Sequence, residues 1–293
     1  MVVKYIGKDL FLNEKSMNNN PYLNLGCGTT FHQDWHNIDF VSTSKYVQPY
    51  NLLKGIPCNN ESKTVVYHSH VLEHFSKTDA VKFIKECHRV LKQEGVIRIA
   101  IPNLEQIALN YIKYLNESVN GTKDADKKYE WTMLEMYDQV VRNNSGGQMI
   151  EYISDKTKNN DEFLLERNGQ EVKHLMETLR ENFVQPKTEF SISGLFSKIH
   201  TASNLLKEFI YKCILLNDYK YYAIGKFRLQ GEIHQWMYDH YSLKQILLEC
   251  GFRNVQTKTA FESNIPNWEK YQSLDVTDGK VRKPDSLFME AFK

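Results

Sequence analysis

The chain has 293 residues, of which 41% are hydrophobic and 25% are charged, as in an ordinary globular protein. Its formal net charge of +1 lacks the broad positive field that a dedicated nucleic-acid binder presents to phosphates. No apolar run reaches the length of about 18 residues that a membrane span requires. Five scattered cysteines without a CxxC pair favour a reducing, cytoplasmic location over a disulfide or zinc framework.

The first hundred residues alternate between short strands and a helix. Apolar and β-branched runs predict strands at residues 22–25, 36–40, 64–69 and 96–101. Helical spacing of apolar residues begins at Lys77, and Gly95 is predicted to end that helix. Single crossovers between strands favour a parallel sheet with helices on both faces.

The middle of the chain has long helical patterns and few strand signals. Helices are predicted at residues 104–116, 125–142, 160–182 and 205–216, with a polar break at 143–147. The most apolar stretch, residues 209–216, is predicted to be buried. A final helix at 242–250 and strands at 255–259 and 287–292 complete an α/β domain. The predicted division is therefore an α/β domain of residues 1–103 and 231–293, interrupted by a helical insertion of residues 104–230 that serves as a substrate lid.

A glycine turn, Leu25-Gly26-Cys27-Gly28, follows the first strand directly. Glycine there lets the backbone approach a bound nucleoside where a side chain would collide. Asp39, at the tip of the next strand, is placed to accept both ribose hydroxyls. The third glycine of the dinucleotide fingerprint is replaced by Phe31. A cofactor without a pyrophosphate does not need that close helix approach, which favours S-adenosylmethionine over NAD.

These motifs, taken in order, resemble those of the class I S-adenosylmethionine-dependent methyltransferases, in particular the methyltransferase type 11 group. The resemblance lies in the segments LNLGCG at 23–28, NID at 37–39, SHVLEH at 69–74 and ECHRVLK at 86–92. It implies a Rossmann-like sheet and S-adenosylmethionine as the cofactor. It also implies a set of cofactor-binding residues around the turn and the next strand ends: Gly26, Cys27, Gly28, Asp39, Phe40, Asn51, Leu52, His68 and Ser69.

Later segments resemble a narrower subgroup that is often associated with polysaccharide biosynthesis. They include the stretch around Tyr137 and Arg142, the segment 231–239 and the loop 282–287. Arg142 before a Ser-Gly-Gly turn suits a carboxylate or phosphate, although pairing with a nearby acid is the simpler interpretation. His234, Trp236 and Tyr238 alternate as on a strand and are expected to share one face. Tyr137, Arg142, Trp236 and Tyr238 are therefore the candidate substrate-binding residues.

Residues 70–74 also match HxxEH, the inverted signature of zinc proteases. That motif needs His70 and His74 on one helix face beside Glu73. The preceding β-branched run instead places His70 at a strand end, with the helix beginning near Glu73. A zinc-dependent hydrolase remains an alternative, but no resident metal is predicted.

The predicted function is methyl transfer to a small molecule or a glycan, with O-methylation by in-line displacement favoured. Histidine suits the general base that a hydroxyl acceptor needs near neutral pH. The candidate catalytic residues are His70 and His234, with His74 in reserve. A non-catalytic module that binds S-adenosylmethionine is a further alternative. The sequence leaves the acceptor and the oligomeric state open.

Overall fold

In the computed structural model, which describes residues 20–158, 160–181 and 207–293, a seven-stranded sheet forms the centre of the fold. The sheet order is β3-β2-β1-β4-β5-β9-β6. Strands β1 to β5 run parallel, and β9 runs antiparallel to both β5 and β6. The strands of this sheet are β1 (Tyr22–Leu25), β2 (His36–Asp39), β3 (Val47–Pro49), β4 (Lys63–Ser69), β5 (Leu91–Pro102), β6 (Arg253–Lys258) and β9 (Ser286–Phe292). A separate two-stranded sheet pairs β7 (Val276–Thr277) with β8 (Lys280–Val281).

The helices are α1 (Lys77–Val90), α2 (Leu104–Val119), α3 (Ala125–Val141), α4 (Gly147–Ser154), α5 (Asp161–Glu181), α6 (Tyr219–Arg228), α7 (His240–Glu249) and α8 (Trp268–Tyr271). Helices α1 and α7 pack on the sheet, and helices α2 to α5 pack against one another in a separate layer. Local capping fixes where two of them begin. The Ser76 side chain accepts the Asp79 amide at the start of α1, and Asp239 and Ser242 form a capping box at α7. Among the described residues, no helix is long and apolar enough to cross a membrane.

Each face of the sheet packs against its own apolar cluster. The larger cluster places Phe83, Ile84 and Leu247 of α1 and α7 against the strands. On the opposite face, aromatic side chains including Trp35, Tyr67 and Trp268 pack together. Helices α2 to α5 have a further cluster, centred on the fully buried Trp131. Burial of this apolar surface provides the main stabilisation of both layers.

The predicted α/β class is confirmed, and the predicted strands lie within a residue or two of the observed ones except at β5. Strand β5 begins at Leu91, before Gly95, because Leu91 already pairs with Lys63 of β4. The polar break at 143–147 leads directly into α4, a helix that was not predicted. The apolar stretch 209–216 is not buried: Phe209, Ile214 and Leu216 are exposed. Residues 182, 205 and 206 of the predicted helices lie outside the described residues, and the domain division remains a prediction.

Candidate active site

The glycine turn after β1 is held by backbone bonds to the neighbouring strand. The amides of Gly26 and Cys27 both donate to the Ile38 carbonyl, at 2.8 and 3.3 Å. Gly26 has a φ of +62°, and a Cβ atom there would lie 2.4 Å from a methyl carbon of Val71. Only glycine satisfies both the left-handed backbone and the close contact.

Gly28 and Asp39 connect the turn to the tip of β2. The Gly28 amide donates to Oδ2 of Asp39 at 2.8 Å, and a Cβ atom at Gly28 would meet no atom within 4 Å. The three successive amides of Gly26, Cys27 and Gly28 therefore donate to acceptors within the protein. A pyrophosphate would need such amides free, as at a phosphate-binding turn. The turn fits a cofactor that brings a nucleoside and a sulfonium rather than a pyrophosphate.

A cavity of about 430 Å³, here called the chamber, and a smaller one of about 210 Å³, here called the cleft, lie near this turn. The cleft is lined by the turn itself, by Ser69 and by residues from the end of the chain. Among the described residues, Asp39, Phe40, Asn51 and Leu52 do not line the cleft. Phe40 is 70% exposed, the Asn51 side chain accepts a hydrogen bond from the Leu53 amide, and Leu52 packs against the main core.

Cys27, in the turn, is a neutral thiol. Burial, with a smaller contribution from the Asp39 charge, raises the pKa of Cys27 to about 12. The thiol thus contributes shape to the cleft and no charge at neutral pH.

His68 does not occupy the position that its expected cofactor contact requires. Its side chain is fully buried, and its ring lies edge-on to Phe83 of α1 at 5.2 Å between centroids. Neither ring nitrogen has a hydrogen-bond partner among the described residues. Successive strand residues point to opposite faces, and His68 points into the main core. Its neighbours Tyr67 and Ser69, by contrast, both line the cleft.

Replacing His68 by leucine should make the protein less sensitive to acid and leave S-adenosylmethionine affinity unchanged. Burial lowers the pKa of His68 from 6.5 to about 3, so the folded state resists protonation. The contribution of the neutral His68 side chain to the free energy of unfolding is fully present above pH 6.5. It is lost as the pH falls toward 3, at about 1.4 kcal/mol per pH unit. Urea unfolding at neutral pH and at pH about 5 measures the difference between variant and wild type. A variant whose stability depends on pH as the wild type does, or whose affinity for S-adenosylmethionine is reduced, would contradict this position for His68.

The chamber lies between the carboxyl edge of the sheet and helices α2 to α5. The cleft and the chamber share three lining residues, His70, Glu171 and Lys283. Lys283, in the loop before β9, forms an ion pair with Glu171 of α5 at this shared boundary. His70 is thus one of the residues at which the cleft and the chamber meet.

His70 is held firmly at the end of β4. Its φ is +55°, and its amide donates to the Ala100 carbonyl at 2.8 Å. One ring nitrogen, Nε2, lies 2.9 Å from the Ser286 hydroxyl, and Nδ1 lies 3.2 Å from a carboxylate oxygen of Glu73. Burial, reinforced by Lys283, lowers the pKa of His70 well below its usual value. The imidazole is therefore neutral at pH 7.

The HxxEH spacing does not form a helical metal-protease motif. His70 follows β4 in a left-handed conformation, and residues Leu72–His74 form one 3₁₀ turn before α1. The two histidines are therefore not on one helix face, as the motif requires.

His74 and His234 meet inside the chamber, with their ring centroids 4.9 Å apart. Burial is the main cause that lowers both pKa values, that of His234 well below the usual range. His234 does not lie on a strand: its segment is irregular, and only Tyr238 forms an isolated bridge, with Asn103. The expected common face of residues 234, 236 and 238 is therefore wrong.

The candidate substrate residues divide into one that lines the chamber and three that do not. Arg142 lines it, yet the guanidinium is already paired with Asp138 at 2.8 Å and Glu232 at 3.3 Å. Tyr137 is 53% exposed, and Trp236 is exposed beneath the Lys77 ammonium. Tyr238 is buried in the main core. The expected substrate contacts of Tyr137, Trp236 and Tyr238 do not match these positions.

Several chamber residues were not identified from the sequence. The main ones are Glu135, Gln139, Glu171, Lys283 and Asp285. Lys283 and Asp285 belong to the loop already noted at 282–287, so a signal was present there. Glu171 stands in a polar helix pattern that gives no indication of a site.

Comparison with known proteins agrees with this geometry. The methyltransferase domain family matches residues 47–99, a minority of the chain. No curated protein sequence matches the chain significantly.

Several solved structures are similar to the chain at low sequence identity. A methyltransferase from Archaeoglobus fulgidus that depends on S-adenosylmethionine is 12% identical, over 98% of this chain and 95% of that one, with a TM-score of 0.35. YcgJ from Bacillus subtilis is 20% identical, and the match spans 37% of this chain and 57% of that protein, with a TM-score of 0.25. Phosphoethanolamine N-methyltransferase 1 from Haemonchus contortus, crystallised with phosphoethanolamine and S-adenosylhomocysteine, is 11% identical over 98% of this chain and 91% of that one, with a TM-score of 0.26. The sheet order, the glycine turn and the match to the methyltransferase domain, rather than these low TM-scores, are the basis for assigning a function.

The sheet is open and doubly wound, with the glycine turn after the interior strand β1, and it has the Rossmann-like form of methyltransferases. The domain match over residues 47–99, together with the sheet order and the glycine turn, supports S-adenosylmethionine-dependent methyl transfer, with S-adenosylmethionine as the cofactor.

Proposed function

We propose that the chain methylates a hydroxyl group of a small molecule or a glycan bound in the chamber. The observation that carries this proposal is the position of His70, a buried neutral imidazole at the boundary of the cleft and the chamber. A chamber of about 430 Å³ is within the size range of small-molecule sites. Polysaccharide biosynthesis remains the expected setting from the subgroup resemblance alone.

The proposed reaction is a direct displacement. S-adenosylmethionine supplies a methyl group on a positively charged sulfur. The acceptor oxygen forms the new bond to that carbon, the carbon–sulfur bond breaks with its electron pair on sulfur, and His70 takes the hydroxyl proton. The products are a methyl ether, S-adenosylhomocysteine and a proton. Most of the acceleration comes from alignment of the two reactants, with proton transfer adding to it.

Helices α2 to α5 enclose the acceptor in this proposal. Arg167 and Glu135 form a buried ion pair in the chamber wall at 3.1 Å, and Asn168 donates to both Glu135 and Asp285. Such a polar wall favours hydrogen bonding to a hydroxylated acceptor over binding of a purely apolar one.

Calorimetry and methyl-transfer assays test the proposal in sequence. The full chain should bind S-adenosylmethionine and S-adenosylhomocysteine but not NAD. With labelled cofactor and a panel of sugars, phenols and amines, label should appear in methyl ethers. Exclusive labelling of amines would contradict the O-methyl assignment. Cofactor binding with no turnover on any acceptor would favour the non-catalytic binding module.

A further inference from the structure

Three side chains converge in the chamber wall in an arrangement that the proposed methyl transfer does not use. Glu73 and His74 belong to the 3₁₀ turn after β4, and His234 comes from the irregular segment before α7. One carboxylate oxygen and one nitrogen from each imidazole lie within 4.8 Å of one another. This group of three residues is here called the Glu-His-His cluster.

Two members of the cluster have buried polar atoms that make no hydrogen bond to the described residues. Glu73 is 1% exposed, and neither carboxylate oxygen has a hydrogen bond among the described residues, although Nδ1 of His70 lies 3.2 Å from one of them. His234 is 5% exposed, and its Nδ1 also has no partner there. Burial of a carboxylate or an imidazole without compensation costs several kcal/mol. Native proteins rarely keep such groups together unless a ligand satisfies them.

His74 is oriented as a metal-binding imidazole is. Its Nδ1 lies 3.1 Å from the Ile233 carbonyl. A carbonyl only accepts, so Nδ1 carries the hydrogen and Nε2 keeps its lone pair. A backbone carbonyl that fixes the tautomer in this way is the usual outer partner of a ligating histidine.

Backbone bonds hold the two segments of the cluster together. The amides of Gln235 and Trp236 donate to the Glu73 carbonyl at 2.7 and 3.3 Å, and the His234 amide donates to the Gln139 carbonyl at 2.9 Å. The Gln235 side chain donates to the His74 carbonyl at 3.0 Å. The donor atoms thus converge before any ligand binds, which lowers the entropy cost of binding.

Cations near the cluster are already neutralised. Lys283 pairs with Glu171, and Arg142 pairs with Asp138 and Glu232. Two imidazoles with one carboxylate suit zinc and similar transition metals, whereas magnesium and calcium prefer oxygen ligands alone. We propose that Glu73, His74 and His234 bind one zinc-class divalent cation in the chamber wall.

The three ligands leave at least one coordination position facing the chamber. A hydroxyl oxygen of the acceptor can occupy that position, and the cation then lowers the pKa of the hydroxyl. His70 still receives the proton, and the oxygen attacks the methyl carbon as before. This catalytic role rests on the proposed methyl transfer, whereas binding of the cation does not.

Metal binding is tested on the full chain after treatment with a chelator. Equilibrium dialysis with zinc, followed by metal analysis, should give one ion per chain. Glu73→Gln and His234→Gln should each bind zinc at least about 100-fold more weakly, since each removes a ligand. His240→Gln, a change at an exposed histidine of α7 outside the chamber, is the matched control and should bind as the wild type does.

Two further measurements keep the test independent of how the variants fold. Cobalt added to the wild-type protein should develop the visible absorption of a low-coordinate nitrogen and oxygen site, and zinc should raise its melting temperature. Absence of stoichiometric zinc in the wild type, or equal binding by the folded variants, would overturn the metal site. Calorimetry with S-adenosylmethionine on the same samples separates the two outcomes. If the wild type binds the cofactor but not zinc, only the metal site is wrong. If it does not bind the cofactor, the methyltransferase assignment is wrong.

Discussion

An Asp39→Ala variant should bind S-adenosylmethionine at least about 100-fold more weakly than the wild type. In the proposed site the carboxylate accepts both ribose hydroxyls, and each charge-assisted bond contributes about 1.5–3 kcal/mol. The same carboxylate accepts the Gly28 amide at 2.8 Å, so its loss also frees the turn. Calorimetry with S-adenosylmethionine measures the effect.

Two companion variants separate ribose binding from support of the turn. Asp39→Asn keeps an oxygen for the Gly28 amide and removes the charge, so its loss of affinity reports the ribose contacts alone. Asp34→Ala removes an exposed acid that pairs with Lys270 rather than with the glycine turn, and it should bind the cofactor normally. Wild-type affinity in Asp39→Ala would rule out the proposed ribose contact.

Replacement of His70 by glutamine should lower kcat by about 100- to 1,000-fold, the usual contribution of a general base. Glutamine keeps a polar side chain near Ser286 and Glu73 but cannot accept a proton at neutral pH. S-adenosylmethionine affinity should change little, because the substitution leaves the glycine turn and its bond to Asp39 intact. Steady-state methyl transfer gives kcat, and calorimetry gives the cofactor affinity.

His240→Gln again serves as the control, since that histidine is exposed and pairs with Glu105. A His70→Gln enzyme with normal turnover would remove His70 from the role of base. If turnover and cofactor binding fell together, His70 would instead be supporting the shape of the cleft.

The sequence predicts the sheet well because its signals are local. The turn at Gly26–Gly28 follows a short apolar strand, and the β-branched run at 64–69 forms β4 as expected. Strand β3 has only three residues, too few for a clear apolar pattern. The start of β5 depends on pairing across the sheet, which no local pattern records.

The site is harder to predict because its residues meet through long-range contacts. His68, Ser69 and His70 are consecutive, yet the first points into the core and the other two line the cleft. Which face of β4 meets the cofactor is decided by helices that come later in the chain. His234 reaches His74 only because the irregular segment after residue 230 is bound to the backbone near Glu73, a contact that spans 160 residues of sequence.

The ion pair of Glu171 and Lys283 links the helical layer to the loop before β9, at the boundary of the two cavities. Lys283 is 16% exposed and Glu171 59%, so solvent ions reach one side of this contact. Salt weakens exposed pairs more than buried ones. We therefore expect salt to weaken this ion pair at the boundary between the cleft and the chamber. The rate of product release can then depend on ionic strength while the rate of the chemical step does not.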